Sequence, residues 1–422
     1  MRSKRWVATE VFSALDPTSV GAYLRRYWHP VIAVSELEGS GPRAVPFFGE
    51  DLVLYRDGAG DVGLLGRHCP HRRADLSHGT VEDNGLRCNY HGWLLDHHGA
   101  CLEQPFDQAV RPASRFRERV ATPTYRAQVH AGMVWIYMGP DPAPQVPNWE
   151  PFTWGNGFVQ VVTAEIPCNW LQCQENSIDP VHFEWLHDNW GAERNGVVGR
   201  RAPTHTRLGF DEIEHGFVYR RVRTDTDEAN PLWSVGRLCL WPNCLFTGNH
   251  FEWRVPIDDR NTWSVTWCFD RVPDDRLPYT QERIPGWHGP TKDPDTGRWI
   301  TSHVMNQDFV AWVGQGPIAD RTKELLGASD RGVVAVRRRF LAELEAVGRG
   351  AEPKGLIRDP EANRCVVLPN MEREQLSGGI TREQFEVRRK RLAAAGMPDG
   401  YIFQAGQPDH VREAYDLAMG LR

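Results

Sequence analysis

The chain of 422 residues has no apolar run that approaches the roughly 18 residues needed to cross a membrane. Its N-terminal stretch also lacks the apolar core of a secretory signal. There is no basic stripe and the formal net charge is −6, which argues against a nucleic-acid partner. Nine cysteines, an odd number spread widely along the chain, do not form a disulfide framework. We therefore predict a cytoplasmic protein whose thiols stay reduced.

The strand and turn patterns predict an α+β protein of two domains. Short apolar runs between Gly, Pro and Asp turns from residue 30 to residue 140 predict an all-β first domain. Four prolines between 142 and 151 indicate a linker. We therefore place an N-terminal segment plus a small all-β domain at 1–150 and a second domain at 151–422.

The second domain is predicted to contain a central antiparallel sheet flanked by helices. Strand patterns return from about 205 to 270, and 262–269 alternates polar with apolar residues, as in a half-buried strand. Asp258–Asn261 would be the turn of a hairpin. Helices are predicted from capping residues and apolar spacing at 169–188, 332–347, 381–395 and 409–419.

Two short cysteine–histidine pairs lie in the first hundred residues, Cys69 with His71 and Cys88 with His91. A [2Fe–2S] cluster of the Rieske type takes two thiolates on one iron and two imidazoles on the other. The interleaved order fits one thiolate and one imidazole from each pair. A zinc site with two cysteines and two histidines is the alternative, although in a zinc finger both cysteines precede both histidines.

Residues 175–187 contain a second candidate metal site. Two histidines and one carboxylate can bind Fe(II) on one face and leave positions open for dioxygen. His182 and His187 are the candidate imidazoles, but they lie about 140° apart on a regular helix, so the helix must bend, unwind or end between them. Otherwise the two histidines are unrelated. Asp179, followed by proline, is a helix N-cap, a hydrogen-bond acceptor for a ligand histidine, or both.

These residues resemble the Rieske non-heme iron oxygenases, the terminal oxygenase components of aromatic ring-hydroxylating and demethylating systems. The resemblance rests on the two Cys/His pairs, then Asn169-Trp170, then the motif Glu-Asn-x-x-Asp-Pro-x-His-x-x-x-x-His. It covers most of residues 20 to 345. The tract from Gln315 to Asp330 looks like the phthalate dioxygenase branch, whose members are typically homotrimers.

The resemblance implies a role for each of these residues. Asp179 would be the aspartate that bridges the two metal sites between subunits, and Asn176 would line the active-site pocket. The carboxylate ligand of the mononuclear iron matches Asp308, with Asp320 and Glu324 as competitors. The implied metal ligands are Cys69, His71, Cys88 and His91 for the [2Fe–2S] cluster, and His182, His187 and Asp308 for the mononuclear iron.

The implied partners are dioxygen, an aromatic substrate and a separate reductase of the flavin or ferredoxin type. No GxGxxG or flavin motif is evident, so NAD(P)H would act only through that reductase. A head-to-tail homotrimer, or a multiple of trimers, would place the cluster of one subunit opposite the iron of its neighbour.

The motifs leave open which reaction the protein catalyses and whether it is an oxygenase at all. The same motifs occur in enzymes of ring dihydroxylation and in enzymes of monooxygenation or O-demethylation. The branch favours aromatic acids, for which Arg201, Arg207 and Arg254 are candidate carboxylate ligands, although charged residues in this sheet region are more often solvated. The competing function is an electron carrier or a metal-stabilised binding protein in which residues 150–422 do no chemistry, but the second metal motif argues against it.

Overall fold

The computed structural model describes residues 9–16, 18–197, 199, 201–394 and 403–422. Within these residues the strands form sheets of six, eight and four strands. In chain order the strands are β1 Trp28–Ala33, β2 Arg43–Phe47, β3 Glu50–Arg56, β4 Val62–Gly66, β5 Thr80–Glu82, β6 Gly85–Arg87, β7 Leu94–Leu95, β8 Cys101–Glu103, β9 Thr124–His130, β10 Met133–Tyr137, β11 Gly157–Ile166, β12 His205–Ile213, β13 Gly216–Arg223, β14 Arg237–Leu240, β15 Cys244–Phe246, β16 His250–Pro256, β17 Thr262–Arg271 and β18 Gly286–His288.

The first ten strands build two antiparallel sheets. The larger has the order β1-β10-β9-β4-β3-β2, and the smaller has the order β5-β6-β7-β8. The two Cys/His pairs lie in the loop between β4 and β5 and in the loop between β6 and β7. The all-β expectation for this part of the chain is confirmed, apart from one short helix, Pro105–Val110.

The eight-stranded sheet, ordered β12-β13-β14-β15-β16-β17-β11-β18, is the centre of the second part of the chain. It is antiparallel except that β18 runs parallel to β11. The predicted hairpin joins β16 to β17, and the Asp258 carboxylate accepts hydrogen bonds from backbone N–H groups in its turn. The expected half-buried character of β17 was wrong, because one apolar cluster covers Trp267 and another covers Cys268 on the opposite face.

Helices flank this sheet in the second part of the chain, and no helix in the described part is long and apolar enough to cross a membrane. The predicted helix at 381–395 begins with a capping box, in which Thr381 and Gln384 each accept from the other's backbone N–H. Its last predicted residue, Ala395, lies outside the described residues. The α-helices are α1 Val20–Leu24, α2 Pro105–Val110, α3 Trp170–Asn176, α4 Ala192–Arg194, α5 Pro231–Ser234, α6 Val304–Gly314, α7 Arg331–Gly348, α8 Arg382–Ala394 and α9 Asp409–Met419.

The proline-rich segment at 142–151 is held against the C-terminal part of the chain. The N–H of Gln145 donates to the carbonyl of Ile357 at 2.7 Å, and Trp149 pairs with Val366. One apolar cluster also runs from the N-terminal residues into the second sheet, where the ring of Phe12 meets α7. The domain division near residue 150 therefore stays a prediction, since the core does not separate there.

Candidate active site

The two Cys/His loops share one backbone design. In each, the cysteine N–H donates at 2.8 Å to the carbonyl five residues on, and the cysteine carbonyl accepts at 3.0 Å from the N–H four residues on. That fourth residue, Arg73 in one loop and Gly92 in the other, has a left-handed backbone with φ of 62° and 73°. This turn brings Cys69 and Cys88 into equivalent positions, which the sequence spacing alone did not reveal.

The four candidate ligands of the cluster differ in how far they are buried. Cys69 and Cys88 are buried, whereas His71 and His91 are exposed with their ring centroids 4.5 Å apart. The ring of His71 also stacks on Trp93, at 4.4 Å between centroids. Burial raises the pKa of the Cys69 thiol to about 11, so a thiolate here needs a bound cation. The arrangement fits an iron held by thiolates inside and an iron held by imidazoles at the surface.

The local fold removes the geometric objection to His182 and His187. Helix α3 ends before them, and Phe183–Gly191 is a π-helix with i to i+5 hydrogen bonds. A π-helix takes more residues per turn than an α-helix, so residues five apart lie closer to one face. The expected unwinding between the two histidines is therefore what the structure shows, and their rings lie 5.1 Å apart.

Asp308 joins the two histidines from α6. Its Oδ1 lies 3.3 Å from Nε2 of His187 and 3.7 Å from Nε2 of His182. One ligand atom from each of the three residues lies within 4.8 Å of the others. Two histidines and one carboxylate meeting in this way are the donor set of a facial Fe(II) site.

The two competing carboxylates are occupied elsewhere. Asp320 is exposed, accepts from the N–H of Thr322, and lies 2.9 Å from the ammonium of Lys323. Glu324 forms an ion pair of 2.5 Å with Arg337 on α7. The geometry therefore favours Asp308.

The buried nitrogens of the two histidines fit a metal. His187 Nε2, which faces Asp308, is buried and has no hydrogen-bond partner in the described part of the chain, and Nε2 of His182 lies 3.7 Å from the same carboxylate. Burial and the neighbouring imidazole hold the pKa of His182 well below its usual range, so this ring is neutral and its lone pair is available. For His187, burial lowers the pKa but the Asp308 carboxylate outweighs it, and the net pKa is raised.

Gln307, which the sequence reasoning missed, contacts one of the candidate ligands. Its Oε1 lies 2.8 Å from His187 Nδ1, while its own Nε2 donates to the carbonyl of Thr301 at 2.9 Å. The second bond orients the amide so that Oε1 accepts from Nδ1 of His187, which leaves the lone pair of Nε2 available to a metal between the three candidate ligands. Gly191 is required beside it, since a Cβ there would lie 2.5 Å from Oε1. Only its position next to Asp308 hinted at this role.

We expect Gln307→Met to weaken iron binding at the triad by roughly 10- to 100-fold, because His187 loses the acceptor that orients it. Titration of the apoprotein with Fe(II) under argon measures this. Gln315→Met, on an exposed residue just after the same helix, is the matched control. Unchanged iron affinity in the Gln307 variant would show that the amide does not position the ligand.

Asp179 and Asn176 both lie against the triad. Asp179 Oδ1 accepts from the N–H of Val181 at 2.8 Å, while Oδ2 lies 3.8 Å from His182 Nδ1, too far for a hydrogen bond. The bond to Val181 closes a local turn, and the N-cap of the π-helix is His182 without a side-chain cap, so the predicted N-cap role of Asp179 was wrong. The carboxylate faces a histidine, and burial raises its pKa to about 6. Asn176, the last residue of α3, donates from Nδ2 to Asp308 Oδ1 at 3.2 Å.

A cavity of about 470 Å³ opens onto the triad and has the size of a small-molecule site. None of the three arginines expected to bind a carboxylate lines it. Arg254 is buried and paired with Glu252, and Arg207 pairs at the surface with Glu228. The lining includes Asn176, His182, Phe183, His187, Asp308, Arg223, Arg237, Leu245, Thr247, His250, Asp270 and Val304.

The C-terminal residues, to which the sequence assigned no role, form part of the wall. Glu372, Arg388, Leu392 and Phe403 line the same cavity. The helices α8 and α9 pack on β11 and β17 through a separate apolar cluster. The segment therefore shapes the site even though it carries no metal ligand.

Comparison with known proteins identifies the family of the chain. Residues 27–122 match the Rieske [2Fe-2S] domain family, and 296–368 match the family described as LigXa C-terminal domain like. The chain is 53% identical over 402 residues to the 5,5'-dehydrodivanillate O-demethylase oxygenase subunit of Sphingobium sp. (strain NBRC 103272 / SYK-6), covering 95% of this chain and 93% of that protein. It is 33% identical over 383 residues to the phthalate 4,5-dioxygenase oxygenase subunit of Pseudomonas putida, covering 80% and 85%.

A solved structure shares the fold. NdmA of Pseudomonas putida CBB5 superposes with a TM-score of 0.55 at 21% identity, covering 78% of this chain and 93% of that one. The chain belongs to the Rieske non-heme iron oxygenases, as a terminal oxygenase α subunit. It is an oxidoreductase of the kind that incorporates dioxygen into aromatic compounds.

Proposed function

We propose that this oxygenase holds its mononuclear Fe(II) with His182, His187 and Asp308, and its cluster with the two Cys/His pairs. The observation that carries the proposal is the meeting of the two imidazoles and the carboxylate in the wall of the cavity. Bound iron supplies the activation of dioxygen beside the substrate. Gln307 and Asn176 hold the ligand side chains in place, and the apolar part of the wall receives the aromatic ring.

We infer that the electron reaches the iron from the cluster of a neighbouring subunit. All residues that line the described cavity lie between 176 and 403, so neither cysteine loop of the same chain reaches it. The Asp179 side chain is 30% exposed and can face a second subunit. Trp185 on the π-helix and Tyr90 beside His91 are 58% and 56% exposed, which a head-to-tail contact would cover. A homotrimer, or a multiple of trimers, closes such contacts into rings.

The remaining partners follow from the same proposal. A separate reductase of the flavin or ferredoxin type delivers electrons from NAD(P)H to the exposed histidine side of the cluster. We place the reaction in the cytoplasm, in the catabolism of aromatic compounds. An electron carrier without oxygenase activity would have no use for the second ligand set.

Between the two open reaction types, O-demethylation is favoured. The relative at 53% identity is an O-demethylase subunit and covers nearly the whole chain, whereas the dioxygenase subunit is 33% identical. In this reaction dioxygen, two electrons and two protons oxidise the methoxy group. The methyl carbon gains a hydroxyl, its bond to the phenolic oxygen breaks, and formaldehyde, a phenol and water are released.

We expect the reduced enzyme to release about one formaldehyde per O-demethylated product from a methoxybenzoate, as the balance requires. Single turnover under dioxygen, with formaldehyde and phenol quantified together, measures this. A cis-diol carrying both oxygen atoms of labelled dioxygen would instead identify a ring dioxygenase. Reoxidation of the cluster without any oxidised substrate, across methoxylated and unsubstituted aromatics, would favour the carrier.

A further inference from the structure

One face of two neighbouring strands beside the triad carries an excess of positive charge. Tyr219, Arg221 and Arg223 alternate along β13 and therefore point to the same side. Arg237, the first residue of β14, is the register partner of Tyr219. Three guanidinium groups thus project from one face of the sheet.

Only one of these three arginines is neutralised. Arg223 forms an ion pair of 2.9 Å with Asp188 and another of 3.4 Å with Asp225. Arg221 and Arg237 form no ion pair with any residue that the structure describes. The Nε atoms of both are buried without a hydrogen-bond partner, and Arg221 is only 5% exposed.

An unpaired guanidinium group as deeply buried as that of Arg221 is costly, because it loses its water without gaining a counterion, and the half-buried Arg237 beside it adds a second positive charge. The one hydrogen bond of the Arg221 side chain runs from Nη1 to the carbonyl of Pro180, at 3.3 Å. Burial and the adjacent Arg237 lower the pKa of Arg221 to about 10, so it still carries its charge at neutral pH. The pair therefore favours an anion from outside the chain.

The pair lies next to the reaction centre. The guanidinium carbons of Arg221 and Arg237 lie 4.5 and 5.1 Å from the ring centre of Phe183. That ring is 4.4 Å from the ring of His182 and 5.1 Å from the ring of His187. Arg237 itself lines the cavity, so an anion in the cavity can reach its guanidinium.

The other charged side chains of the wall do not offer an equivalent site. Glu252 is bound by Arg254 and by His250, and Asp270 is paired with Arg388. Of the other arginines in the described wall, Arg223 and Arg388 are paired with carboxylates and Arg391 is exposed.

We propose that Arg237, supported by the charge of Arg221, binds the carboxylate of an aromatic carboxylic acid and so positions its ring beside the triad. The inference deepens the proposed function and rests on it. A carboxylate matches the planar fork of a guanidinium and removes the uncompensated charge. A neutral aromatic ligand would fill the same volume and leave both arginines unpaired.

The test compares 3-methoxybenzoate with 3-methoxybenzamide, which has nearly the same shape but no charge. We expect the wild type to bind the acid more tightly than the amide. Arg237→Gln should weaken binding of the acid by roughly 10- to 100-fold and change that of the amide much less. Arg237→Lys should lie between, because it keeps the charge and loses the fork. Equilibrium dialysis of the anaerobic holoenzyme measures the affinities of the wild type and of both variants for the acid and for the amide.

Arg207→Gln, on an exposed arginine of the neighbouring β12, is the control and should leave both affinities unchanged. The lysine variant keeps the test decisive if the glutamine variant does not fold. Equal binding of acid and amide by the wild type, binding of neither, or acid binding unchanged in both Arg237 variants overturns the proposal. If the acid binds tightly and its binding depends on Arg237, but no formaldehyde is released, the carboxylate-binding site is supported and the proposed O-demethylation is contradicted.

Discussion

Replacing Asp308 by Ala should abolish product formation and lower the iron content from about three to about two atoms per chain. The carboxylate is the third candidate ligand, and without it only the imidazoles of His182 and His187 remain, with no ligand anion to neutralise the metal. The cluster, which lies in the other part of the chain, should keep its colour and its acid-labile sulfide. Iron and sulfide analysis with single-turnover product formation measures these effects.

Asp320→Ala is the matched control, because Asp320 is exposed and paired with Lys323. It should retain iron and activity. If the Asp308 variant kept full activity and the Asp320 variant lost it, the third ligand would be misassigned. A colourless wild type loaded with zinc would contradict the cluster assignment itself.

Asp179→Asn should slow electron transfer from the reduced cluster to the mononuclear iron by at least about 10- to 100-fold. The asparagine keeps the size of the side chain, and its carbonyl oxygen can still accept the N–H of Val181. Folding, assembly and both metal sites should therefore survive. What is lost is the negative charge facing His182 and, in the proposed oligomer, the link to the cluster of the neighbouring subunit.

The measurement is reoxidation of the reduced cluster by dioxygen in a single turnover with substrate present. The Asn variant should accept an electron at the cluster at the normal rate, which separates transfer from reduction. Cluster reoxidation and product formation at the wild-type rate would leave Asp179 with only its turn bond to Val181 and would refute the proposed path between subunits.

The class of the protein could be predicted from the sequence because the residues of each metal motif lie close together in the chain. Cys69 and His71 are two residues apart, and Cys88 and His91 are three apart, so one short loop supplies each half of the candidate cluster site. The hairpin at Asp258 and the long helices α7, α8 and α9 were also predicted, since caps, turns and apolar periodicity act over a few residues.

The tertiary structure decided whatever depends on residues that are distant in the chain. A sequence pattern allowed three carboxylates as the third ligand, and only the packing of α6 against the π-helix places Asp308 beside the histidines. The acceptor role of Gln307 requires the same contact. The unpaired charge of Arg237 and Arg221 could not be read from the sequence either, because an ion pair is a matter of distance, and the arginines chosen from the sequence were already paired or outside the cavity.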